Sequence, residues 1–437
     1  MSLTPLEREI TRDIARRRDD LVALAADLVA FDTRAPEGPN GSREEAALQA
    51  YVAERMAAAG LAVRVWEPDP ADIAPTRYPI PDGHDFRGRP QLLATATGAG
   101  GGRALLLNGH IDVVTAEPED AWTTPPFTPV VRDGRLYGRG ACDMKGGLAC
   151  LLGVTELLRA RQVPLAGDLL VSTVTDEEST GAGALAVAAT GVRADGCLVA
   201  EATGLEVCLG TRGSLLPAID VEGRAGHAGF PPTHWSEGGP VNAIEKMQLV
   251  LEALQRLRHE WQLRADCRHE ALSPGSIVPT SMHAGQWIVS VPAECRLECH
   301  VQFVPGQADA DGLGSRVERE IEARVLTACA ADPWLAEHPP RFTWAGDVPA
   351  SWVKPDAPVA ATTLDAMEAM GLPRTLARVT GFFDGATFVR HGIPSIAFGP
   401  GETLQAHTVD ESLPIDQMVR CAQVFAVIVM RFCGLAA

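Results

Sequence analysis

The stretch Ala104–Asp112 reads ALLLNGHID and joins an apolar run directly to an Asn-Gly turn, a histidine and a carboxylate. A short apolar run bounded by a turn predicts a buried strand over 104–107. His110 and Asp112 follow the end of that strand, and chemistry in α/β sheets gathers at the carboxyl ends of strands. An imidazole with a carboxylate two residues on is also the pattern by which an acid orients a metal-bound ring, although the pair occurs by chance in many sequences.

The chain on either side of this stretch alternates between helical and strand-like segments. Apolar residues at helical spacing predict helices, and short β-rich runs ending at turns predict strands. The predicted elements are helices over 6–31, 43–59 and 147–160, and strands over 62–66, 92–95, 168–174 and 196–200. Strands that alternate with helices indicate the α/β fold class.

The pattern changes after about residue 212. The predicted order becomes strand 214–221, helix 240–257, strands 276–284 and 294–304, helix 313–329 and strand 341–345. This β-α-β-β-α-β order is that of the split, ferredoxin-like unit. The α/β style returns with helix 359–370, strand 395–398 and helix 415–433. We therefore predict a catalytic domain built from 1–212 and 348–437, with an inserted domain over 213–347.

Composition narrows the range of partners. The 437 residues carry a formal charge of −18, which repels nucleic acid. The charged first 18 residues lack the apolar core of a signal peptide, and no apolar run reaches the length of a membrane span. Ten cysteines without a Cys-x-x-Cys pair indicate reduced, buried thiols, although Cys295 and Cys299 leave a metal site open beside the preferred strand interpretation. We expect a soluble, cytoplasmic protein.

Further carboxylates stand at turns that follow strands. Asp143 is the single acid in the glycine-dense segment 138–147, whose simpler interpretation is a tight turn with a helix cap. Asp176, Glu177 and Glu178 follow the strand over 168–174, and three successive carboxylates repel one another unless a cation absorbs their charge. The alternative is a solvated acidic loop.

Two more candidate ligands complete the set. Glu201 ends the strand over 196–200, and His407 follows the turn Gly399-Pro400-Gly401. Oxygen and imidazole ligands without thiolate favour zinc, cobalt or manganese over a structural sulfur site.

In combination these segments resemble the family of acetylornithine deacetylase, succinyl-diaminopimelate desuccinylase, aminoacylase and bacterial glutamate carboxypeptidase. The resemblance covers nearly the whole chain and rests on signatures at 109–114, 138–146, 176–178, 201, 226–229 and 399–407. It implies a zinc-exopeptidase-like catalytic domain with an inserted ferredoxin-like lid that mediates homodimerisation.

The resemblance also implies a role for each site residue. Two divalent ions, zinc first and cobalt or manganese next, would be held by His110 with Glu201 and by Glu178 with His407, with Asp143 bridging both. Asp112 would orient His110, and Glu177 would be the general base. His227 matches the family histidine that reaches into the partner subunit's site to stabilise an oxyanion, and its simpler interpretation, like that of His234, is an ordinary loop histidine.

The sequence departs from the family where relatives grip a substrate carboxylate with Asn and Arg. Val289 or Ser290 stands in place of the Asn and Gln302 in place of the Arg, which leaves Arg212, Arg296 or Arg378 as substitutes. The dipeptide Phe382-Phe383 puts aromatic bulk near the expected pocket, although such pairs are commonly core residues. We therefore predict N-deacylation of a small N-acyl amine, with a di- or carboxypeptidase and a non-catalytic metal-dependent binding protein as alternatives.

Overall fold

The computed structural model describes residues 2–35, 43–73, 84–230, 233–377 and 381–436. Its helices are α1 Pro5–Arg16, α2 Arg18–Val29, α3 Glu45–Ala58, α4 Pro70–Ile73, α5 Gly146–Ala160, α6 Ala182–Ala189, α7 Ala243–Leu263, α8 Ser315–Cys329, α9 Pro333–Glu337, α10 Pro358–Ala369, α11 Gly385–Arg390 and α12 Ile415–Cys433. Its strands are β1 Ala62–Trp66, β2 Gln91–Ala96, β3 Leu105–His110, β4 Val130–Arg132, β5 Arg135–Tyr137, β6 Leu169–Val174, β7 Gly196–Val199, β8 Gly210–Thr211, β9 Gly213–Glu222, β10 Gly226–His227, β11 Ser276–Ala284, β12 Ser290–Val291, β13 Glu294–Phe303, β14 Arg341–Val348, β15 Ser351–Trp352, β16 Ser395–Ala397 and β17 Ser412–Pro414.

A mixed six-stranded sheet, in the order β1-β2-β6-β3-β7-β16, forms the larger body. Strands β6, β3, β7 and β16 are parallel, and β1 and β2 add an antiparallel edge. Every residue of β3 and β6 is buried, which is why both strands begin with an unbroken apolar run, LLL in β3 and LLV in β6. Because these strands are parallel, the residues that follow β3, β6 and β7 meet at one edge of the sheet.

Helix α5 packs against α12 and α2 beside this sheet. Its first turn approaches the end of β7 so closely that a Cβ on Gly147 would lie 2.1 Å from the carbonyl oxygen of Ala200. Only glycine fits at such a close backbone approach. This contact brings the turn that carries Asp143 next to the strand that leads to Glu201.

A second sheet, in the order β11-β13-β9-β14, has antiparallel pairing throughout. Helices α7 and α8 pack on it around a separate core, and alternate residues of β13 point into that core. Cys295 and Cys299 are both buried there on the same face of β13, which confirms the strand interpretation over a metal site. The chain enters and leaves this unit side by side, where β8 pairs with β15.

Most predicted elements match the structure within a few residues, and one predicted helix does not. The helical pattern over 6–31 is interrupted, because Arg17 leaves helical geometry at φ −95° and ψ 24° and separates α1 from α2. Helices α6 and α11 were not predicted, since both are short and lie in almost uniformly buried sequence. All ten cysteines are unpaired and buried, as expected. Among the helices described, none combines the length and apolarity needed to cross a bilayer.

Candidate metal centre

His110 stands at the carboxyl end of β3 and is fully buried. Its Nδ1 lies 2.9 Å from the carbonyl oxygen of Asp112, so an Nδ1–H donor leaves Nε2 free to face Asp143 Oδ1 at 3.1 Å. The Asp112 carboxylate was expected to orient this ring, but its nearest oxygen is 3.7 Å from Nδ1. That carboxylate instead accepts hydrogen bonds from the backbone N–H groups of Glu177 and Glu178, at 3.3 and 3.1 Å. Asp112 thus ties the end of β3 to the acidic turn after β6.

Asp143 occupies the glycine-rich turn before α5, with non-helical angles of φ −121° and ψ 99°. One carboxylate oxygen faces His110, and the other lies 3.5 Å from His407 Nε2. A carboxylate that presents its two oxygens to two different imidazoles has the arrangement of a bridging ligand. Asp143 does not cap α5, whose N-cap is Lys145 and has no side-chain capping bond, and its role as a metal ligand stays a prediction.

Glu178 and Glu201 flank this central carboxylate from opposite sides. The Glu178 oxygens lie 3.1 and 3.2 Å from His407 Nε2, whereas Glu201 Oε1 lies 3.9 Å from His110 Nε2. The chain positions His407 on an exposed loop with a positive φ of 63°. Two pairs, His110 with Glu201 and Glu178 with His407, thus stand on either side of Asp143.

Burial and crowding perturb these groups strongly. Burial raises the pKa of Glu177 and of Glu201 well above the usual carboxyl range, and neighbouring acids add to the effect. Burial also acts to raise the pKa of Asp143, but hydrogen bonds with His110 and His407 outweigh it and lower that pKa. The pKa of His407 rises to about 10, mainly through its hydrogen bonds with Asp143 and Glu178. Such a concentration of buried acid favours a compensating positive charge.

These residues fit divalent cations. Glu201 Oε1 is buried and has no hydrogen-bond partner among the described residues, as expected of an atom that binds an ion. One ligand atom each from His110, Asp143 and Glu178 lie within 4.8 Å of one another. The donor set contains only imidazole nitrogen and carboxylate oxygen, which suits zinc, cobalt and manganese.

The cavity above this cluster has a volume of about 350 Å³. Its described lining combines the acidic cluster and His407 with small, hydroxyl and aromatic side chains, among them Thr203, Phe382 and Phe383. Phe383 belongs to the main core, whereas Phe382 is half-buried and also packs against a small apolar cluster that includes Phe86. The aromatic pair is thus partly core and partly pocket wall.

No lysine or arginine occurs among the described lining residues of this cavity. Three arginines were proposed as substitutes for the family Arg that binds the substrate carboxylate. One of them, Arg296, forms an ion pair with Asp220 at 2.9 Å. Arg212 is half-buried and donates to the carbonyl of Pro274 at 3.4 Å. Arg378 lies outside the described residues. The described pocket therefore offers acids and apolar surface rather than a guanidinium fork.

His227 lies apart from this cluster and is exposed on β10, which pairs with β12. Its Nδ1 accepts a hydrogen bond from the Gly229 backbone N–H at 3.0 Å, and its ring stands 4.6 Å from that of Phe230. His234 instead accepts a hydrogen bond from the Ser236 backbone in a surface turn. Neither histidine lines the cavity within one chain, so a role for His227 there requires a second subunit.

Sequence reasoning missed several buried polar groups behind the centre. Asp384 accepts a hydrogen bond from Asn108 Nδ2 at 3.1 Å, and Asn108 accepts one from Ser172 at 2.6 Å. Burial raises the pKa of Asp384 to about 6. Asp176, the first acid of the triplet, is bound by Arg89 at 2.6 Å and does not reach the cavity lining. Each of them stood in or beside a segment that had been singled out, because Asn108 is part of the NGH turn, Asp384 directly follows Phe383, and Asp176 belongs to the acidic triplet.

A nitrogen- and oxygen-lined, acid-rich centre at the carboxyl ends of parallel strands, with the half-buried Glu177 beside it, is typical of a metal-dependent hydrolase. The sequence profile of Peptidase family M20/M25/M40 matches residues 106–431, and the chain belongs to that family. Family membership makes it an enzyme that hydrolyses amide bonds rather than a non-catalytic binding protein.

Three similar proteins illustrate the relationship. The N-formyl-4-amino-5-aminomethyl-2-methylpyrimidine deformylase of Halalkalibacterium halodurans is 29% identical, over 98% of this chain and 97% of the relative. The succinyl-diaminopimelate desuccinylase of Methylorubrum extorquens is 30% identical, over 89% of this chain and 94% of the relative. The structure of aminopeptidase PepT from Bacillus cereus superposes with a TM-score of 0.71 at 19% identity, over 95% and 99% of the two chains, and supports the fold.

Proposed function

We propose that this protein is a dinuclear metal-dependent N-deacylase that removes a formyl or similarly small acyl group from a small amine. The observation that carries the proposal is the position of Asp143, whose two oxygens face His110 and His407 on opposite sides. That arrangement calls for two ions rather than one, and the unpartnered Glu201 Oε1 supplies a further ligand atom.

In this proposal His110 and Glu201 would hold one ion, Glu178 and His407 would hold the other, and Asp143 would serve both. Zinc is the first choice, with cobalt or manganese next, because all donors are nitrogen or oxygen. Two such ions lower the pKa of water and polarise the scissile carbonyl.

Glu177 is the proposed general base. It lines the cavity beside the ligands. Among the described residues, none forms a hydrogen bond with the Glu177 side chain that would hold it away from the substrate. Asp112 fixes its backbone through the hydrogen bond to the Glu177 N–H. The Glu177 carboxylate takes a proton from the water as its oxygen bonds to the acyl carbon, and passes that proton to the nitrogen as the C–N bond breaks, so that a neutral amine leaves.

The proposed substrate is an N-formyl amine that carries an aromatic or heteroaromatic ring. The deformylase relative aligns with 98% of this chain, and Phe382 gives the cavity an aromatic wall. Dipeptides and acetylornithine-like substrates carry a carboxylate, and the described lining supplies no lysine or arginine for it. The di- or carboxypeptidase alternative is therefore ranked second.

A substrate panel tests this order. Protein loaded with Zn²⁺, and separately with Co²⁺ or Mn²⁺, would be assayed for amine release from N-formyl, N-acetyl and N-succinyl amines and from dipeptides. We expect the highest kcat/KM for N-formyl aminomethylpyrimidines, above N-acetylornithine and dipeptides. A dipeptide as the best substrate would reject the deacylase proposal.

We further propose that residues 213–347 form an inserted ferredoxin-like lid, flanked by catalytic segments 1–212 and 348–437, and that two lids pair in a homodimer. The β-α-β-β-α-β order supports the insertion. The pairing of β8 with β15, where the chain enters and leaves this unit, supports it as well. Exposed apolar side chains surround His227, namely Phe230, Trp287, Ile288 and Val289. Burying such a patch between subunits stabilises association.

His227 is proposed to act in the partner subunit's cavity, where it stabilises the oxyanion. Mixing an inactive His227→Ala variant with an inactive Glu177→Ala variant under exchange conditions is expected to restore part of the activity, because each heterodimer keeps one intact site. Size-exclusion and mass measurements would verify that subunits exchange. Full exchange without recovered activity would count against the role.

The location that we propose is the cytoplasm. All ten cysteines are unpaired and buried, and unpaired thiols persist in reducing compartments. The proposed substrates are small N-acyl amines rather than nucleic acid, which agrees with the charge of −18.

A further inference from the structure

Arg139 and Glu411 form a buried ion pair directly behind the candidate metal centre. Arg139 Nη1 lies 2.6 Å from Glu411 Oε2, and the two side chains are only 3% and 1% exposed. A buried ion pair offsets its desolvation cost only when further hydrogen bonds satisfy both partners. The further hydrogen bonds of Arg139 and Glu411 therefore indicate which segments the pair holds in place.

The glutamate of the pair holds the turn that carries Asp143. Glu411 Oε1 accepts hydrogen bonds from the backbone N–H groups of Cys142 and Asp143, at 2.8 and 3.0 Å. Asp143 has non-helical backbone angles, so the regular bonds of α5 do not fix its orientation. Glu411 thus sets the direction in which the Asp143 carboxylate points.

The arginine of the pair holds the loop that carries His407. Arg139 Nη1 also donates to the carbonyl oxygen of Thr408, the residue after His407, at 3.2 Å. The His407 side chain is 53% exposed, so packing restrains it weakly. The guanidinium itself lies 5.0 Å from the centroid of the Trp122 ring, which keeps it in place.

We propose that the Arg139–Glu411 pair is a clamp that fixes Asp143 and His407 relative to each other, so that the ion site on the Glu178 and His407 side depends on it. The two residues are positioning residues, since neither lines the cavity. On the other side, His110 is the last residue of buried β3 and Glu201 lies two residues after buried β7, so these ligands need less support. The inference rests on the proposed two-ion function and adds a distinct dependence for one of the two ions.

Zinc titration of the metal-free protein, followed by calorimetry, tests the clamp. The variants are Glu411→Gln, which keeps an acceptor oxygen but removes the charge, and Arg139→Lys, which keeps the charge but removes the planar fork. The matched control is Glu7→Gln, which breaks another largely buried pair, with Arg431 at 2.7 Å, between α1 and α12. Thermal unfolding of the metal-free proteins checks that each variant is folded.

We expect wild type and Glu7→Gln to bind two Zn²⁺ ions. Both clamp variants should bind one of the two ions about 10- to 100-fold less tightly, the range for partners that orient metal ligands, while the affinity for the other ion changes less. Their kcat at low Zn²⁺ should fall at nearly constant KM and recover when Zn²⁺ is raised. Recovery by added metal separates positioning from a general loss of structure, which extra Zn²⁺ does not repair.

Two results would overturn the clamp. If folded Glu411→Gln and Arg139→Lys bind two ions as tightly as wild type does, the clamp is wrong and the two-ion function stands. If wild type itself binds fewer than two ions, the proposed function fails and the clamp fails with it. Should Glu411→Gln not fold, the comparison of Arg139→Lys with Glu7→Gln decides alone.

Discussion

Replacing Glu177 by Gln is expected to lower kcat by about 10²- to 10⁴-fold, the usual contribution of a positioned general base. Gln has nearly the same shape but no carboxylate that can accept a proton. Glu177 lines the cavity beside the ligands, whereas Glu178 and Glu201 face the two histidines. The variant should therefore keep its bound metal, and KM should change little.

The metal content of the purified variant is measured. Its kcat and KM are then compared with those of wild type on the best substrate of the panel. Glu206→Gln is a suitable control because Glu206 is partly exposed and is not among the described residues that line the cavity. A Glu177→Gln enzyme with full metal content and undiminished turnover would show that another group is the base.

Removing the Asp143 carboxylate is expected to weaken both ions together. Asp143→Ala leaves His110 and His407 without the group that both of them face, so each ion keeps only two protein ligands. The loss of metal affinity should exceed the roughly 10- to 100-fold loss that is typical when a residue that orients a metal ligand is replaced. Activity should fall with metal content, and added metal should not restore it fully.

Elemental analysis after dialysis, with zinc titration of the metal-free variant, measures this effect. Glu7→Gln again serves as the folded control. Retention of two tightly bound ions by Asp143→Ala would remove the bridging role, and the loss of only one ion would assign Asp143 to a single site.

The sequence predicted the sheet well because the relevant strands are buried on both faces. Apolar runs such as 104–107 and 169–171 carry that signal within a few residues. The polar residues that follow β3, β6 and β7 could then be assigned to one edge of the sheet, since parallel strands end together. The break at Arg17 left no comparable trace, because the apolar spacing of α1 continues into α2.

The parts of the site that sequence reasoning missed depend on contacts between distant segments. Glu411 stands four residues after His407, yet its partner Arg139 is 272 residues away in the chain. Asp384 pairs with Asn108 across 276 residues. Local sequence spacing cannot predict such pairs, because the sequence around a buried acid looks the same whether the acid binds a metal, an arginine or an amide.

The orienting contact of His110 shows the same limit at short range. The His-x-Asp spacing correctly marks two residues that interact, but it does not tell which oxygen of Asp112 receives the bond. In the structure the carbonyl oxygen takes it, because the carboxylate is already occupied by two backbone N–H groups of the acidic turn.

The proposed function requires that two cations share the Asp143 carboxylate. Anomalous diffraction at the zinc absorption edge tests this sharing, with crystals of the Zn²⁺-loaded enzyme. The expected map has two peaks about 3.5–4 Å apart, the spacing of two-metal hydrolytic sites, one on each side of the Asp143 carboxylate. A single peak, or peaks bound to residues outside His110, Asp143, Glu178, Glu201 and His407, would contradict the account.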